Sequence, residues 1–358
     1  MTDVDAVRHR RMRSHLLTAP AATVADAARH MLATQGQEFW GGRWALACRT
    51  AGAPSVRDVD AAFDRGEIVR SWTMRGTIHV IPAEDLAWVL SLTGGRQARQ
   101  LASVHRREGI DDDELARAES AARAALSGGN RLTRAELFSA WDAAGISPAA
   151  QRGYHLLVSL SLRGIVCQGP VVPREGAPTR EQYIVLAEEW VPAPVTPADP
   201  LAELFVRFIA SHGPAGARDF AWWTGLPLGE SRRAAEAAGD RLTLAGAEPE
   251  PQYVVDPQPQ GSPASDVFAL PPFEEYYLSY ADRTVPCAPE FLAAVGPSMN
   301  GIVRPLIISR GVVVGVWTHS IAVGRHAETP TAELFAPDAV DAGEVTAALL
   351  RYRDFITA

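Results

Sequence analysis

The sequence contains no lysine, and all 34 of its basic residues are arginine. That absence excludes any mechanism in which a lysine amine forms a Schiff base with the substrate. It leaves the forked guanidinium, which suits phosphates and base edges, as the permanent cation; GC-rich coding produces the same bias. Cysteine is scarce. Cys48, Cys167 and Cys287 lie far apart with no C-x-x-C pair, which argues against a disulfide frame or a Cys-rich zinc site and fits a reducing compartment. No apolar run approaches about 18 residues, so no membrane span is expected. The segment MTDVDAVRHRRMRSHLL lacks the apolar core of a signal peptide, and a cytoplasmic protein is expected. Positive charge is not in surplus either: 42 acidic residues give a net charge of −8. A uniformly basic nucleic-acid coat is thereby excluded, whereas a local basic face is not.

What is present is ordinary globular composition, 358 residues with 47% hydrophobic and 21% charged. The length predicts two or three compact modules. The usual catalytic signatures are missing: no H-E-x-x-H, G-x-S-x-G, G-x-x-x-x-G-K or G-x-G-x-x-G occurs. The nine histidines never fall at i, i+4, so no metal site is expected. Asp111-Asp112-Asp113-Glu114 is the acidic start of a helix, where negative charge suits the dipole.

Along the chain one pattern recurs. VADAARHMLATQ, beginning after Thr23, has helical spacing at Val24, Ala27, Ala28, Met31 and Leu32, with Gly41-Gly42 as its stop. Arg43 to Thr50 predicts a second helix, and Ser55 caps a third that closes at Gly66. Residues 68–82 are rich in β-formers and broken by Arg75-Gly76, a hairpin signal. Three helices followed by a hairpin is the order of a winged helix-turn-helix. A helical connector from Ala83 to about Gly128 leads to a second round. There Thr133 and Glu136 form a capping box, Ser147-Pro148 opens the next helix, and residues 165–172 and 182–190 supply the wing. The Pro-rich stretch 191–200 is a linker, and a third round follows it.

The expected fold is α+β: three tandem winged helix-turn-helix modules and a β-rich C-terminal domain forming a concave surface. The boundaries are 1–82, 83–190, 200–266 and 267–358. Such folds read DNA by placing a helix in a groove, and they also serve as protein-interaction modules.

Gln35-Gly36-Gln37 sits where the first helix runs out. Two amides one residue apart diverge by roughly 200° on an ideal helix and converge only if the chain leaves helical geometry, which Gly36 permits. Phe39 and Trp40 follow and offer flat apolar surface for a base or sugar. On residue types alone the pair reads first as solvated helix-end glutamines.

The stretch AARHMLATQGQ…RWALACRT…VRDVDAAFDRGEIVRSWTMRGTIHVIP resembles the winged-helix DNA glycosylases that unhook interstrand crosslinks, the AlkZ/YcaQ-like family. LPPFEEYYLSYADR, then NG and RPLIISRGVVVGVW, is similar to that family's second signature, and the resemblance covers roughly residues 20–355. It implies the winged-helix architecture above and a Q-x-Q catalytic motif whose ends Gln35 and Gln37 match. Gly36 is smaller than the family's usual middle residue. The resemblance also implies a self-resistance role against DNA-alkylating antibiotics.

Glutamine neither gains nor loses a proton near neutral pH, so it can hold a water but cannot act as a general base. Alkylation at guanine N7 makes the base a cationic leaving group in advance. Orienting a water at C1′ is then the remaining task, and orientation alone is worth several kcal/mol. The expectation is a monofunctional DNA glycosylase, without cofactor and monomeric, acting on double-stranded DNA that contains alkylated purines. The alternative is a non-enzymatic winged-helix DNA binder, a regulator or lesion sensor; a protein-interaction scaffold is a third class.

Arg75 and His79 on the first hairpin are candidate phosphate and pocket residues, with a hydrogen-bonded hairpin histidine as the other reading of His79. Trp40, Tyr276, Arg283 and Arg310 are further candidate DNA contacts. Tyr276 belongs to a cluster with Glu274, Tyr277, Asp282 and Arg283 that can stack on bases or brace an interface. Arg152, Arg163, Arg218, Arg232 and Arg233 are candidate phosphate contacts.

Overall fold

The computed structural model describes residues 3–191, 194–246, 250–259, 265–298 and 301–358. Pro192 and Ala193 of the linker, and Asn300 of the second signature, lie outside the described residues. The chain is mixed α and β with antiparallel sheets and divides into two compact units. One comprises 1–59, 174–178 and 201–358; the other comprises 60–173 and 179–200. The division cuts the helix Val56–Asp64 and so falls inside the first expected module. Among the described residues, no helix is long and apolar enough to cross a membrane.

The smaller unit is built around four antiparallel strands in the order Thr77–Pro82, Ile68–Met74, Val166–Val171, Gln182–Leu186. The two predicted hairpins therefore form one sheet, joined at Arg70↔Gln168, rather than two separate wings. All seven residues of Ile68–Met74 are buried. The 23-residue helix Leu86–Glu108 packs along this strand and against the helix Arg152–Leu162. Gly94 makes the second contact possible, because a Cβ there would stand 2.6 Å from the Leu162 carbonyl oxygen. Capping follows local chemistry. Asp111 accepts from the Glu114 N–H at 2.7 Å and opens the helix Asp112–Leu126. Thr133 and Glu136 satisfy each other's orphan N–H groups at 3.2 and 2.8 Å. The helix after Ser147-Pro148 starts only at Arg152, and residues 187–190 form a helical turn instead of continuing a strand.

The larger unit carries the helices Asp3–Ser14, Val24–Met31 and Phe39–Cys48, then Pro200–His212, Ala217–Thr224 and Leu228–Ala238 with the small hairpin Thr243–Gly246/Gln252–Val254. A four-stranded antiparallel sheet follows, in the order Thr331–Leu334, Val312–Thr318, Leu306–Ser309, Val267–Leu270. The closing helix Ala342–Thr357 packs on Val267–Leu270 and on Phe39–Cys48. Trp44 and Trp317, both 2% exposed or less, donate their indole N–H groups to the carbonyls of Ala269 and Leu270, at 2.7 and 2.8 Å. Gly41-Gly42 does not stop a helix, contrary to expectation. Both residues lie within Phe39–Cys48, where Gly41 lets the helix approach Pro272: a Cβ would meet its ring at 3.1 Å.

Candidate active site

The glutamine segment begins where Val24–Met31 ends. Thr23 caps that helix by accepting from the Asp26 N–H at 3.1 Å. Leu32 terminates it by taking a left-handed φ of 60°, and the chain continues as the short strand Thr34–Gln35. The helical geometry that would drive the two amides apart is therefore absent at Gln35. Gln35 is 6% exposed, Gly36 is buried, and Gln37 is exposed just ahead of the next helix.

The backbone of Gln35 is anchored from far along the chain. Its N–H donates to Oε1 of Glu275 at 2.7 Å. Oε2 of Glu275 accepts from the Trp223 indole at 3.1 Å and from the Ser279 hydroxyl, and His212 Nε2 stands 3.7 Å away. The neighbouring Glu274 forms an ion pair with Arg49 in which neither side chain has exposed surface, and it also accepts the Tyr276 N–H at 3.0 Å. Behind this pair the Tyr280 hydroxyl donates to the His212 carbonyl at 2.6 Å. It must then accept from His15 Nε2 at 2.8 Å, which fixes the proton of neutral His15 on Nε2. Burial holds the pKa of both His15 and His212 below the ordinary histidine value, and each ring's proximity to the other lowers His15 further. Glu275 is not among the residues expected at the site. The available signal was two adjacent carboxylates inside the apolar, aromatic stretch LPPFEEYYLSY, since buried charges require partners.

The predicted site residues are divided between the two units: Arg75, His79, Arg152 and Arg163 in the smaller, the rest in the larger. His79 has no exposed surface, and its Nδ1 lies 2.9 Å from Thr73 Oγ1, so it occupies the position of a hydrogen-bonded hairpin histidine. Arg75 is half-buried at the first position of a two-residue turn, with φ 54°, followed by Gly76 at φ 71°. Gln97 grips this tip, accepting from the Gly76 N–H at 2.7 Å and donating to the Thr73 carbonyl at 2.6 Å. Arg310 and Gly311 repeat the turn at φ 49° and 80°, and the Arg310 side chain is 81% exposed beside Asp266.

Tyr276 is 1% exposed and donates its hydroxyl to the Gly311 carbonyl at 2.9 Å. It faces the interior and braces the second turn, in place of the expected contact with DNA. Trp40 is half-buried, with its ring 4.0 Å from that of His319 and near Tyr352 and Trp317. Arg283 is half-buried over the rings of Trp222 and Tyr277, at 5.1 and 5.5 Å. Of the other arginines, Arg152 is engaged by Glu114 and the Glu108 carbonyl, a structural duty. Arg218 pairs with Glu250 at 3.1 Å, Arg163 lies 3.9 Å from Glu119, and Arg232 and Arg233 are exposed. Burial pushes the thiols of Cys48 and Cys167 up to about 12, which removes them as nucleophiles. Among the described residues, no group of three or more His, Cys, Asp or Glu side chains is placed to hold a metal ion.

Comparison with known proteins places this geometry in context. The solved structure of Streptomyces sahachiroi DNA glycosylase AlkZ is similar, with a TM-score of 0.77 at 20% identity over 99% of this chain and 98% of that one; at that identity the likeness shows the fold. The interstrand DNA cross-link repair glycosylase of Streptomyces sahachiroi is 25% identical over 318 residues, 84% of this chain and 82% of that protein. The family model described as DNA glycosylase AlkZ-like matches residues 28–355. With nearly its whole length matched, the chain belongs to the AlkZ-like family and is a DNA glycosylase.

Proposed function

We propose that this glycosylase hydrolyses the N-glycosidic bond of cationic N7-alkylated guanine in double-stranded DNA, bulky adducts and interstrand crosslinks included. Gln35 and Gln37 position the attacking water. The water oxygen bonds to C1′ as the C1′–N9 bond breaks; its proton passes to solvent and the alkylated base leaves neutral. The amides orient without titrating, and the positive charge already on the base supplies the leaving-group activation. The chain acts as a monofunctional enzyme, since it has no lysine to open the sugar.

The observation that carries this reading is the exit of the chain from helical geometry between Leu32 and Gln35, with the Gln35 backbone held by a carboxylate and Gln37 exposed beside it. The crosslink substrate is supported by the similarity to the interstrand DNA cross-link repair glycosylase of Streptomyces sahachiroi. In the same proposal the three helix–hairpin segments act as winged helices, the first two sharing one sheet, and Arg75 and Arg310 contact the DNA backbone. Both arginines occupy the first position of a turn that ordinarily takes Asn, Asp or Gly. A left-handed arginine is a strained choice, and such strain is kept where a side chain is needed.

The test is release of 7-methylguanine from N7-methylated duplex DNA, and unhooking of an N7–N7 crosslink, by wild type, Gln35→Ala and Gln37→Ala. Wild type releases the base, and each variant loses roughly 10²-fold or more in single-turnover rate while still binding DNA. Binding without release by wild type would instead favour the lesion sensor.

A further inference from the structure

We infer that Glu275 is the positioning residue of the glutamine segment; the inference rests on the proposed roles of Gln35 and Gln37. Glu275 lies 240 residues from Gln35 in sequence, is 2% exposed, and accepts the Gln35 N–H at 2.7 Å. An ionised carboxylate offers only acceptors, and donors from three parts of the chain converge on it: the Gln35 backbone, the Trp223 indole and the Ser279 hydroxyl. The two oxygens divide the work. Oε2 is held by Trp223 and Ser279, which fixes the carboxylate plane. Oε1 then presents a fixed acceptor to the peptide plane of Thr34 and Gln35.

The need for such an anchor follows from the segment itself. Its strand is only two residues long, and it is followed by Gly36, which has no Cβ to limit it. A charge-assisted bond at Gln35 fixes the Cα from which the buried amide side chain projects. Displacing that origin by about 1 Å moves the held water off its line to C1′, an error that costs on the order of 10²-fold in rate. Glu275 touches no reacting atom and acts through Gln35.

The experiment measures single-turnover release of 7-methylguanine at saturating enzyme, duplex affinity and thermal stability for wild type, Glu275→Ala, Glu275→Gln and Ser279→Ala. Trp141→Phe is the control; it removes a buried indole bond to the Ala118 carbonyl in the smaller unit. Selectively 15N-glutamine-labelled protein reports hydrogen exchange at the Gln35 amide. Glu275→Ala is expected to slow release on the order of 10²-fold with affinity within about threefold of wild type. Glu275→Gln keeps one acceptor and loses about tenfold, Ser279→Ala loses less, and the Gln35 amide exchanges faster in the order of the rate losses. An unchanged release rate, an unchanged Gln35 amide, or an equal rate loss in Trp141→Phe at matched stability overturns the inference. If wild type releases no base, the proposed function falls, and the Gln35 amide alone decides whether Glu275 holds it.

Discussion

The hydroxyl of Tyr276 donates to the carbonyl of Gly311 at 2.9 Å and thereby pins the turn whose other central residue is Arg310. Gln97 does the same for the Arg75-Gly76 turn through the Gly76 N–H. Two hairpins in different units thus share an Arg-Gly tip and a buried side chain clamped onto its glycine. The fit is tight at Gly311, where a Cβ would stand 2.8 Å from the Tyr276 oxygen. Tyr276→Phe is expected to lower stability by about 1 kcal/mol, the value of one hydrogen bond, or up to about 3 kcal/mol if the carbonyl stays dry and unpaired. The salt dependence of DNA binding should stay unchanged, because no charge is lost. Denaturant unfolding and a salt titration of duplex affinity check the two halves of this expectation.

Arg310 inverts that pattern. Its side chain is 81% exposed and its ion pair with Asp266 contributes little in water. Arg310→Gly relieves the left-handed φ at that position, so stability is expected to stay within about 1 kcal/mol of wild type. Duplex affinity should fall, and the slope of log K against log salt should shrink by about one phosphate contact. A slope equal to wild type would remove Arg310 from the DNA-binding face.

Arg49 and Glu274 form the most deeply buried ion pair among the described residues, with neither side chain exposed. Arg49 also donates to the Ala45 carbonyl at 3.0 Å, so the pair ties the helix Phe39–Cys48 to the residues that open the Glu275–Leu278 turn. Removing one partner strands a charge, and Glu274→Leu or Arg49→Met is expected to cost about 3–5 kcal/mol. The double replacement should cost clearly less than the sum of the two. A double-mutant cycle by urea unfolding measures the difference, and strict additivity would show that the two groups do not act as a pair.

Much of the local structure was legible in the sequence because its causes are local. The Thr133/Glu136 capping box, the Asp111 cap and both Arg-Gly turns depend on residues within three or four positions of one another. What was not legible depends on distant partners. Gly41-Gly42 reads as a helix stop until Pro272 is seen to need the space. The hairpins at 68–82 and 166–186 read as two wings until Arg70 pairs with Gln168 across 98 residues. At the candidate site, the glutamines stood out by spacing and by resemblance. Glu275 shows locally only as one of two adjacent carboxylates in an aromatic stretch; what it holds comes from residues 35 and 223, far away in sequence. Tyr276 was drawn toward DNA by its Tyr-rich neighbourhood, although an acidic and aromatic stretch serves equally well to build an interior.

Four histidines of the larger unit are expected to make it sensitive to acid. Burial lowers the pKa of His15, His30, His212 and His319, and for His319 it reaches about 4. A histidine whose folded pKa lies below its unfolded value near 6.5 binds fewer protons folded than unfolded. Stability is then fully present above about pH 6.5 and is lost as pH falls toward the folded value, by up to about 1.4 kcal/mol per pH unit for each such group. Unfolding free energy should therefore decline steeply between pH 6.5 and 4, beyond what carboxylate protonation produces. His319→Gln isolates one contribution: Gln keeps a polar group for the Tyr352 hydroxyl, which stands 2.9 Å from the imidazole, and it does not titrate. Urea unfolding from pH 7.5 to 4.5 should show a shallower slope for the variant, corresponding to about one proton fewer taken up on unfolding. Parallel curves for variant and wild type would mean that His319 protonates equally in both states, and the acid sensitivity would have to come from the other histidines, His105 and His155 of the smaller unit included, or from carboxylates.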